Sequence, residues 1–349
     1  MGGAEVFTYE NAKRWVNAGH EVTLFTSQFA GCRKEEMSDG IKIVRAGGKY
    51  LVYWWAKKFY KKRFAKENYD IIIDEINTKP FLTPKFVDDE EKIVALIHQL
   101  AREYWLYETP FPISYIGYHY LEEKWLKNYV ETPTVTVSKS SKLDLEKLGF
   151  KQVFVVSEGL NVEPLKEICE KERHPVVAYV GRLKRAKRPD HAVWAFRLVK
   201  ERFPSAELWV IGDGYFRKVL KRMSFDGVRF FPKVGNVVRR RLLKKTWVLV
   251  NPSVREGFGL NVVEANAFGV PCVAYDVNGL RDSVKDGETG LLVESGNVGA
   301  LAYGLINVLK DENLRLRLSR NALEYARGFS WDKSAEEFFR ILKYIVDER

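Results

Sequence analysis

The densest chemistry-bearing stretch of the chain is Asn251-Pro-Ser-Val-Arg-Glu-Gly-Phe-Gly-Leu-Asn-Val-Val-Glu264. An apolar run at 247–250 precedes it, and its Gly-Phe-Gly turn opens a run at 260–267 that reads as a helix. The first N–H groups of a helix lack backbone partners and lie at the positive end of its dipole, so they favour a phosphate. Gly257 and Gly259 carry no side chain and let a ligand approach the backbone closely. Glu256 stands just before the turn, and Glu264 about one and a half helical turns after it. The two carboxylates can therefore reach neighbouring parts of one ligand. Taken locally, the same residues also make an ordinary strand, turn and helix with two surface glutamates.

A second segment, Gly181-Arg-Leu-Lys-Arg-Ala-Lys-Arg-Pro189, follows the apolar run 176–180, and five of its nine residues are cationic. Arg182 and Lys187 are the candidates to neutralise a diphosphate. Fixed positive charge stabilises a departing nucleotide diphosphate as its charge develops. The plain alternative is a solvated basic loop. A third turn, Ile211-Gly-Asp-Gly-Tyr215, carries Gly212, and Phe231-Pro-Lys-Val-Gly235 carries Val234, which could present backbone groups to a base. Ligands of open α/β sheets bind beyond the carboxyl ends of the strands, so two anion sites in that position support each other.

These segments need a scaffold, and the pattern supplies one. Short β-branched runs at 21–26, 40–44, 71–73, 93–97, 134–137 and 152–156 alternate with amphipathic stretches at 5–17, 54–67 and 139–148. The alternation resumes with strands expected at 175–180, 207–211, 228–231, 247–250, 271–274 and 290–293. Helices are expected at 190–202, 215–223, 239–245, 260–267, 298–310 and 313–327. Alternating strand and helix predicts an α/β protein with two parallel, doubly wound sheets. The polar stretch around 159–174 is the expected boundary. A doubly wound domain usually opens with a strand before its Gly-rich turn, whereas here Gly2-Gly3 stands at the start. The expectation is that a first strand is missing or that the recorded chain is truncated.

The motifs in order resemble the retaining glycosyltransferases of family 4, which have the GT-B fold. Glu256-x7-Glu264 is similar to the family's paired-glutamate motif, and Gly181-Arg-Leu…Lys187 to its phosphate loop. Gly2-Gly3-Ala-Glu5, Gly19-His-Glu-Val-Thr23 and the segment from Asn278 to Val293 resemble further family signatures, so the likeness covers nearly the whole chain. The resemblance implies two Rossmann-like domains facing across a cleft, at 1–160 on the acceptor side and 161–330 on the nucleotide-sugar side. A helix at 331–349 would cross back to the first. It implies that Arg182 and Lys187 hold the donor diphosphate, that Glu256 meets the hydroxyls of the transferred sugar, and that Glu264 binds the ribose. Backbone groups around Phe258, Gly259, Leu260 and Asn261 would meet sugar and phosphate. Gly2 and Gly3 would form the opposite wall, and His98, after the strand at 93–97, would sit near the sugar. The remaining histidines, His20, His119, His174 and His191, read as structural or surface residues.

The implied reaction moves a hexose-type sugar from a UDP- or GDP-sugar to a glycan or lipid-linked acceptor, with retention. No cofactor and no metal ion are expected: the family has no Asp-x-Asp metal site, and none occurs in this sequence. The two glutamates are assigned to donor binding rather than to a hydrolytic carboxylate pair. An epimerase of the same fold and a non-catalytic basic binding module are the alternatives. The paired-glutamate motif argues against the epimerase. A nicotinamide-dependent dehydrogenase is disfavoured, because no Gly-x-Gly-x-x-Gly follows a strand with an acidic residue about 20 positions on.

Composition bounds the rest. With 349 residues, 46% of them hydrophobic, the chain has material for about two domains. Cys32, Cys169 and Cys272 are too few and too scattered for a disulfide framework or a zinc site, which fits a reducing compartment. No uncharged apolar run reaches the length of a membrane span, and the N-terminus has no signal-peptide pattern, so a cytoplasmic location is expected. The net charge of +11 fits an anionic partner or a surface rich in ion pairs. Nucleic acid is not the expected partner. Residues 49–68 hold seven basic and seven aromatic residues. At helical spacing Val52, Tyr53, Ala56, Phe59, Tyr60 and Phe64 share one face, while Trp54 and Trp55 lie among the lysines. Tryptophan beside lysine suits an anionic membrane surface at the inner face of a membrane; a plain surface helix is the alternative. The aromatic stretch from Tyr104 to Tyr120 could line an acceptor groove or a core.

Overall fold

The computed structural model of the chain describes residues 2–88 and 92–348. The chain divides into two compact units. The first comprises Met1–Ala101, Ile116–Gly159 and Ser330–Arg349; the second comprises Arg102–Tyr115 and Leu160–Phe329. Residues 102–115, placed with the first domain by the sequence reading, thus pack with the second.

The first unit contains β1 (Thr23–Thr26), β2 (Glu35–Ser38), β3 (Ile41–Arg45), β4 (Ile72–Glu75), β5 (Ile93–Leu96), β6 (Thr134–Thr136) and β7 (Val153–Val155). β4, β5, β6 and β7 form a parallel sheet in that order. All four residues of β5 are buried, as an unbroken apolar run on an inner strand requires. β1, β3 and β2 form a separate three-stranded sheet with β2 antiparallel. The expected single sheet is therefore two, because among the described residues no strand joins β1 to β4 by a ladder. β2 was not expected either. Its Glu-Glu-Met-Ser sequence is that of a charged edge strand, which carries no apolar signal.

The helix Gly3–Asn17 packs along the last helix, Trp331–Asp347. Phe7 and Trp15 meet Phe338 ring to ring at 5.9 and 5.1 Å, and the Arg14 Nε donates to Asp332 at 2.6 Å. A side chain at Gly159 would put its Cβ 2.4 Å from the Trp331 nitrogen, so only glycine fits beside the start of the last helix.

The second unit contains β8 (Val176–Val180), β9 (Glu207–Ile211), β10 (Val228–Phe231), β11 (Val248–Asn251), β12 (Cys272–Tyr275) and β13 (Gly290–Val293). All are parallel, in the order β10-β9-β8-β11-β12-β13. The chain runs outward one way through β10 and then starts again at β11 in the other direction. The carboxyl ends of β8 and β11 therefore flank the switch point, where doubly wound sheets bind ligands. The helices Pro189–Arg202, Val298–Lys310 and Glu312–Ala326 share one core with the sheet, in which Phe196, Leu208, Val250, Leu305 and Leu318 are fully or almost fully buried.

Truncating Phe196 to Ala should cost about 3–5 kcal/mol of unfolding free energy, the usual range for a buried aromatic ring. Trp194→Ala, on the exposed side of the same helix, should cost far less. Urea denaturation of both variants checks the assignment of the faces.

Candidate functional site

Two turns converge at the switch point. Gly181 directly follows β8, and Gly212 directly follows β9 with φ +148°; a Cβ on Gly212 would lie 2.0 Å from the Gly181 carbonyl oxygen. Only glycine permits this approach. The Val254 N–H donates to the Ala186 carbonyl at 3.0 Å, which ties the loop after β11 to the cationic loop after β8. The Asn261 Nδ2 donates to the Val180 carbonyl at 2.7 Å and so anchors the short helix Leu260–Asn266 to β8.

Within this frame the Lys187 Nζ lies 2.5 Å from Glu256 Oε2. The other carboxylate oxygen of Glu256 lies 2.8 Å from the Ser253 hydroxyl, itself 2.7 Å from Asn251 Oδ1 at the end of β11. The Glu256 backbone is held as well. Its N–H donates to the Asn278 carbonyl at 3.0 Å, and a Cβ on Gly279 would lie 2.2 Å from its carbonyl oxygen. Burial works against the charge on Lys187, but Glu256 and a hydrogen bond with Tyr104 outweigh it and hold the ammonium above its ordinary pKa. Lys187 therefore keeps its charge, compensated by Glu256.

The structure brings Lys187, Glu256, Gly257, Gly259 and Gly212 to one end of one sheet. Arg182 stands exposed on the same loop as Lys187. Gly259 takes φ +94°, and a Cβ there would lie 2.7 Å from the Ser283 hydroxyl. Phe258 turns its ring away to pack on Phe329 at 5.5 Å, and Leu260 is half-buried. Glu264 pairs with Arg239. Burial raises the Glu264 pKa, partly offset by Arg239. Val234 is half-buried next to Lys233, and a pocket of about 330 Å³ opens there between the turns after β9 and β10, lined by Asp213, Tyr215 and Lys233. Among the described residues no group of three or more His, Cys, Asp or Glu side chains could hold a metal ion.

In the first unit Gly2 caps the helix Gly3–Asn17, its N–H donating to Glu5 Oε2 at 2.8 Å, and Gly3 is the first helical residue. His98 follows β5 and is only 6% exposed. Among the described residues neither ring nitrogen has a hydrogen-bond partner. The nearest carboxylates, Glu75 and Glu158, stand 3.8 and 3.9 Å away, and Phe7 meets the ring edge-on at 5.1 Å. Burial lowers the His98 pKa to about 4, so the imidazole is neutral near pH 7, with one donor and one acceptor free. The other histidines are structural or peripheral: the His191 Nδ1 lies 2.6 Å from the Tyr275 hydroxyl, and His20 packs on Phe339.

Sequence reasoning missed the part played by residues 102–115. Tyr104 hydrogen-bonds Lys187, and Arg255 reaches Glu103 at 2.7 Å. Tyr104 and Tyr107 therefore pack on the cationic loop. Nothing in the local pattern distinguishes a tyrosine that will meet a lysine 83 positions later. Glu75, at the end of β4, was also missed; the end of a parallel strand was the available signal.

Comparison with known proteins agrees with this geometry. The family model described as Glycosyltransferase Family 4 matches residues 1–164, and that described as Glycosyl transferases group 1 matches residues 163–325. The chain belongs to the family 4 glycosyltransferases. The D-inositol 3-phosphate glycosyltransferase of Corynebacterium efficiens is 34% identical over 173 residues, 46% of this chain and 41% of that protein. The chain thus spans less than half the length of this curated relative. Sucrose-phosphate synthase from Thermosynechococcus elongatus superposes with a TM-score of 0.81 at 19% identity, over 100% of this chain and 94% of that one. Anabaena HepE in complex with UDP and glucose gives a TM-score of 0.72 at 16% identity, over 98% and 96%. These two likenesses establish the fold, the pair of Rossmann-like domains named GT-B.

The depressed His98 pKa gives a sign for this family member. Between the unperturbed histidine value of about 6.5 and pH 4, the unfolded chain binds a proton that folded His98 does not. Its contribution makes stability fall as pH drops through that window. Replacing His98 with Gln should flatten this part of the stability-against-pH curve. An unchanged slope in urea titrations at pH 7, 6 and 5 would contradict the burial of a neutral imidazole.

Proposed function

We propose that the protein transfers a hexose-type sugar from a nucleotide diphosphate donor to a glycan or lipid-linked acceptor, with retention at the anomeric carbon. One observation carries the reading. A charged lysine and a glutamate are fixed 2.5 Å apart beside glycine-lined turns at the switch point of a parallel sheet. The solved HepE structure, of the same fold, holds UDP and glucose.

In this reading Lys187 and Arg182 receive the diphosphate. As the bond between the anomeric carbon and the β-phosphate oxygen breaks, the electron pair leaves with the diphosphate and meets these fixed cations. The acceptor oxygen forms its bond on the same face and gives up its proton to the departing phosphate oxygen. Glu256 orients the hydroxyls of the sugar, and Glu264 takes the ribose by exchanging Arg239 for it. Backbone groups at Gly257, Gly259 and Asn261 line the sugar and phosphate, and the turns bearing Gly212 and Val234 face the base. In this reading His98 is the first unit's hydrogen-bonding group for a sugar, and Gly2 and Gly3 stand on the acceptor side. The cations take the part that a metal ion plays elsewhere, so no metal and no cofactor are invoked.

For the acceptor, the helix Val52–Lys62 favours a lipid-linked molecule at an anionic membrane surface, at the cytoplasmic face. Its aromatic face is covered by Phe25, Phe81 and Phe86. Trp54 is nevertheless 58% exposed, near Tyr50 at 79% and Leu51 at 62%, with Lys58 over both Trp54 and Trp55. Such a surface lies on a bilayer rather than through it. Among the described residues no helix is long and apolar enough to cross a membrane.

A thermal-shift series with UDP- and GDP-hexoses tests the donor reading. At least one should raise the Tm of the parent protein, because a ligand bound only to the folded state stabilises it. Lys187→Ala and Glu256→Ala should fold with a lower Tm, because each leaves the other charge unpaired, lose the rise with nucleotide sugar and lose most transfer. Near-normal turnover in either variant would overturn the assignment. Flotation with vesicles containing anionic lipid tests the acceptor reading. The parent should float, and a Trp54→Ala, Lys57→Ala, Lys58→Ala variant should stay in solution; equal flotation contradicts it.

A further inference from the structure

The helix Glu103–Glu108 presents a polar or aromatic side chain to the donor loop at nearly every position that faces it. Glu103 pairs with Arg255, the neighbour of Glu256. Tyr104 hydrogen-bonds Lys187 and places its ring 5.4 Å from the ammonium. The Arg188 Nη1 donates to the Tyr107 hydroxyl at 3.3 Å. Glu108 spans two turns at once. One oxygen accepts the Ala186 N–H at 2.9 Å, and the other accepts the Tyr215 hydroxyl at 3.0 Å. That hydroxyl in turn accepts the Arg185 N–H at 3.0 Å. Two successive amides of the loop bearing Lys187 are thus held by Glu108, directly and through Tyr215.

A loop with five cations in nine residues repels itself, and hydrogen bonds with charged partners are strong enough to fix it. The helix lies a few residues after His98, separated from it by Arg102, which takes the strained value φ +37°. Strain of this kind persists where the surroundings over-determine the backbone.

We infer that Arg102–Tyr115 is a strap that completes the donor site, with Glu108 the positioning residue that holds the Lys187 loop in its nucleotide-binding shape and Tyr104 the group that aims the ammonium. The inference rests on the donor reading of Lys187 and Glu256. Glu108 touches no reacting atom in this account and acts through the loop. Its effect therefore belongs in donor affinity rather than in the chemical step. Nucleotide binding and strap docking are then coupled, and each favours the other.

The test is calorimetric titration of UDP and of GDP into the full chain and its variants, with steady-state kinetics for the donor. Glu108→Ala should weaken binding of the preferred nucleotide about tenfold and raise the donor KM with kcat little changed, at an unaltered Tm. Glu108→Gln keeps an acceptor for the Ala186 N–H and should restore most of the affinity. Tyr104→Phe should weaken binding in the same direction. Unchanged affinity in Glu108→Ala overturns the inference. So does tighter binding, which would make the helix a plug that the donor must displace. Lys187→Met separates the two levels: if it binds nucleotide as the parent does, the donor reading itself fails. If it loses binding while the Glu108 variants keep theirs, only the strap is refuted.

Discussion

The ion pair between Lys187 and Glu256 is the constraint on which the rest of the second unit is organised. Each charge sits where it is costly to leave unpaired, and each is fixed by more than its partner. Lys187 is braced by Tyr104, while Glu256 is braced by Ser253 and by its own backbone against Asn278 and Gly279. The glycines at 181, 212, 259 and 279 follow from that arrangement. At 212, 259 and 279 a Cβ would fall well inside contact distance of a neighbouring backbone or hydroxyl oxygen, so the turns can close only without one. At 181 the site instead admits the carbonyl that Gly212 approaches. The sheet supplies the remaining requirement, since its order reverses between β8 and β11, and both loops leave from adjacent strand ends.

The first unit meets a different problem with a similar economy of means. His98 is held neutral by burial, with carboxylates close by but beyond hydrogen-bond distance. A neutral imidazole can donate and accept at once, which suits a sugar hydroxyl better than an imidazolium would. On β4, Asp74 is buried among Tyr129 and Thr83, a satisfied polar network that stiffens the end of the strand. The positive charge of the chain divides in the same spirit. Some of it is structural to the loop after β8, and some covers the exposed side of the helix Val52–Lys62.

Much of this was legible in the residues. The strands at 207–211, 228–231 and 290–293 and the helix at 298–310 have the bounds that the pattern predicts, because each is a largely apolar run with strong turn signals at its ends. The loop after β8 and the paired glutamates could be read because their chemistry is local: cations, glycines and carboxylates at fixed short spacings. What stayed hidden was long-range. Glu103, Tyr104 and Glu108 gain their meaning only from residues some 80 to 150 positions away, and their own neighbourhood reads as an aromatic patch. β2 was hidden for the opposite reason, since two glutamates at a sheet edge look like loop. The division of the first unit into two sheets depends on which strands pair, and hydrophobic alternation does not encode that.

The most direct test of the central claim is a double-mutant cycle on Lys187 and Glu256, read out as affinity for the nucleotide sugar that stabilises the parent protein. If the pair works as one unit, Lys187→Met and Glu256→Gln should each remove most of the affinity, and the double variant should bind little worse than the weaker single one. Losses that simply add, or a single variant that binds as the parent does, would contradict it.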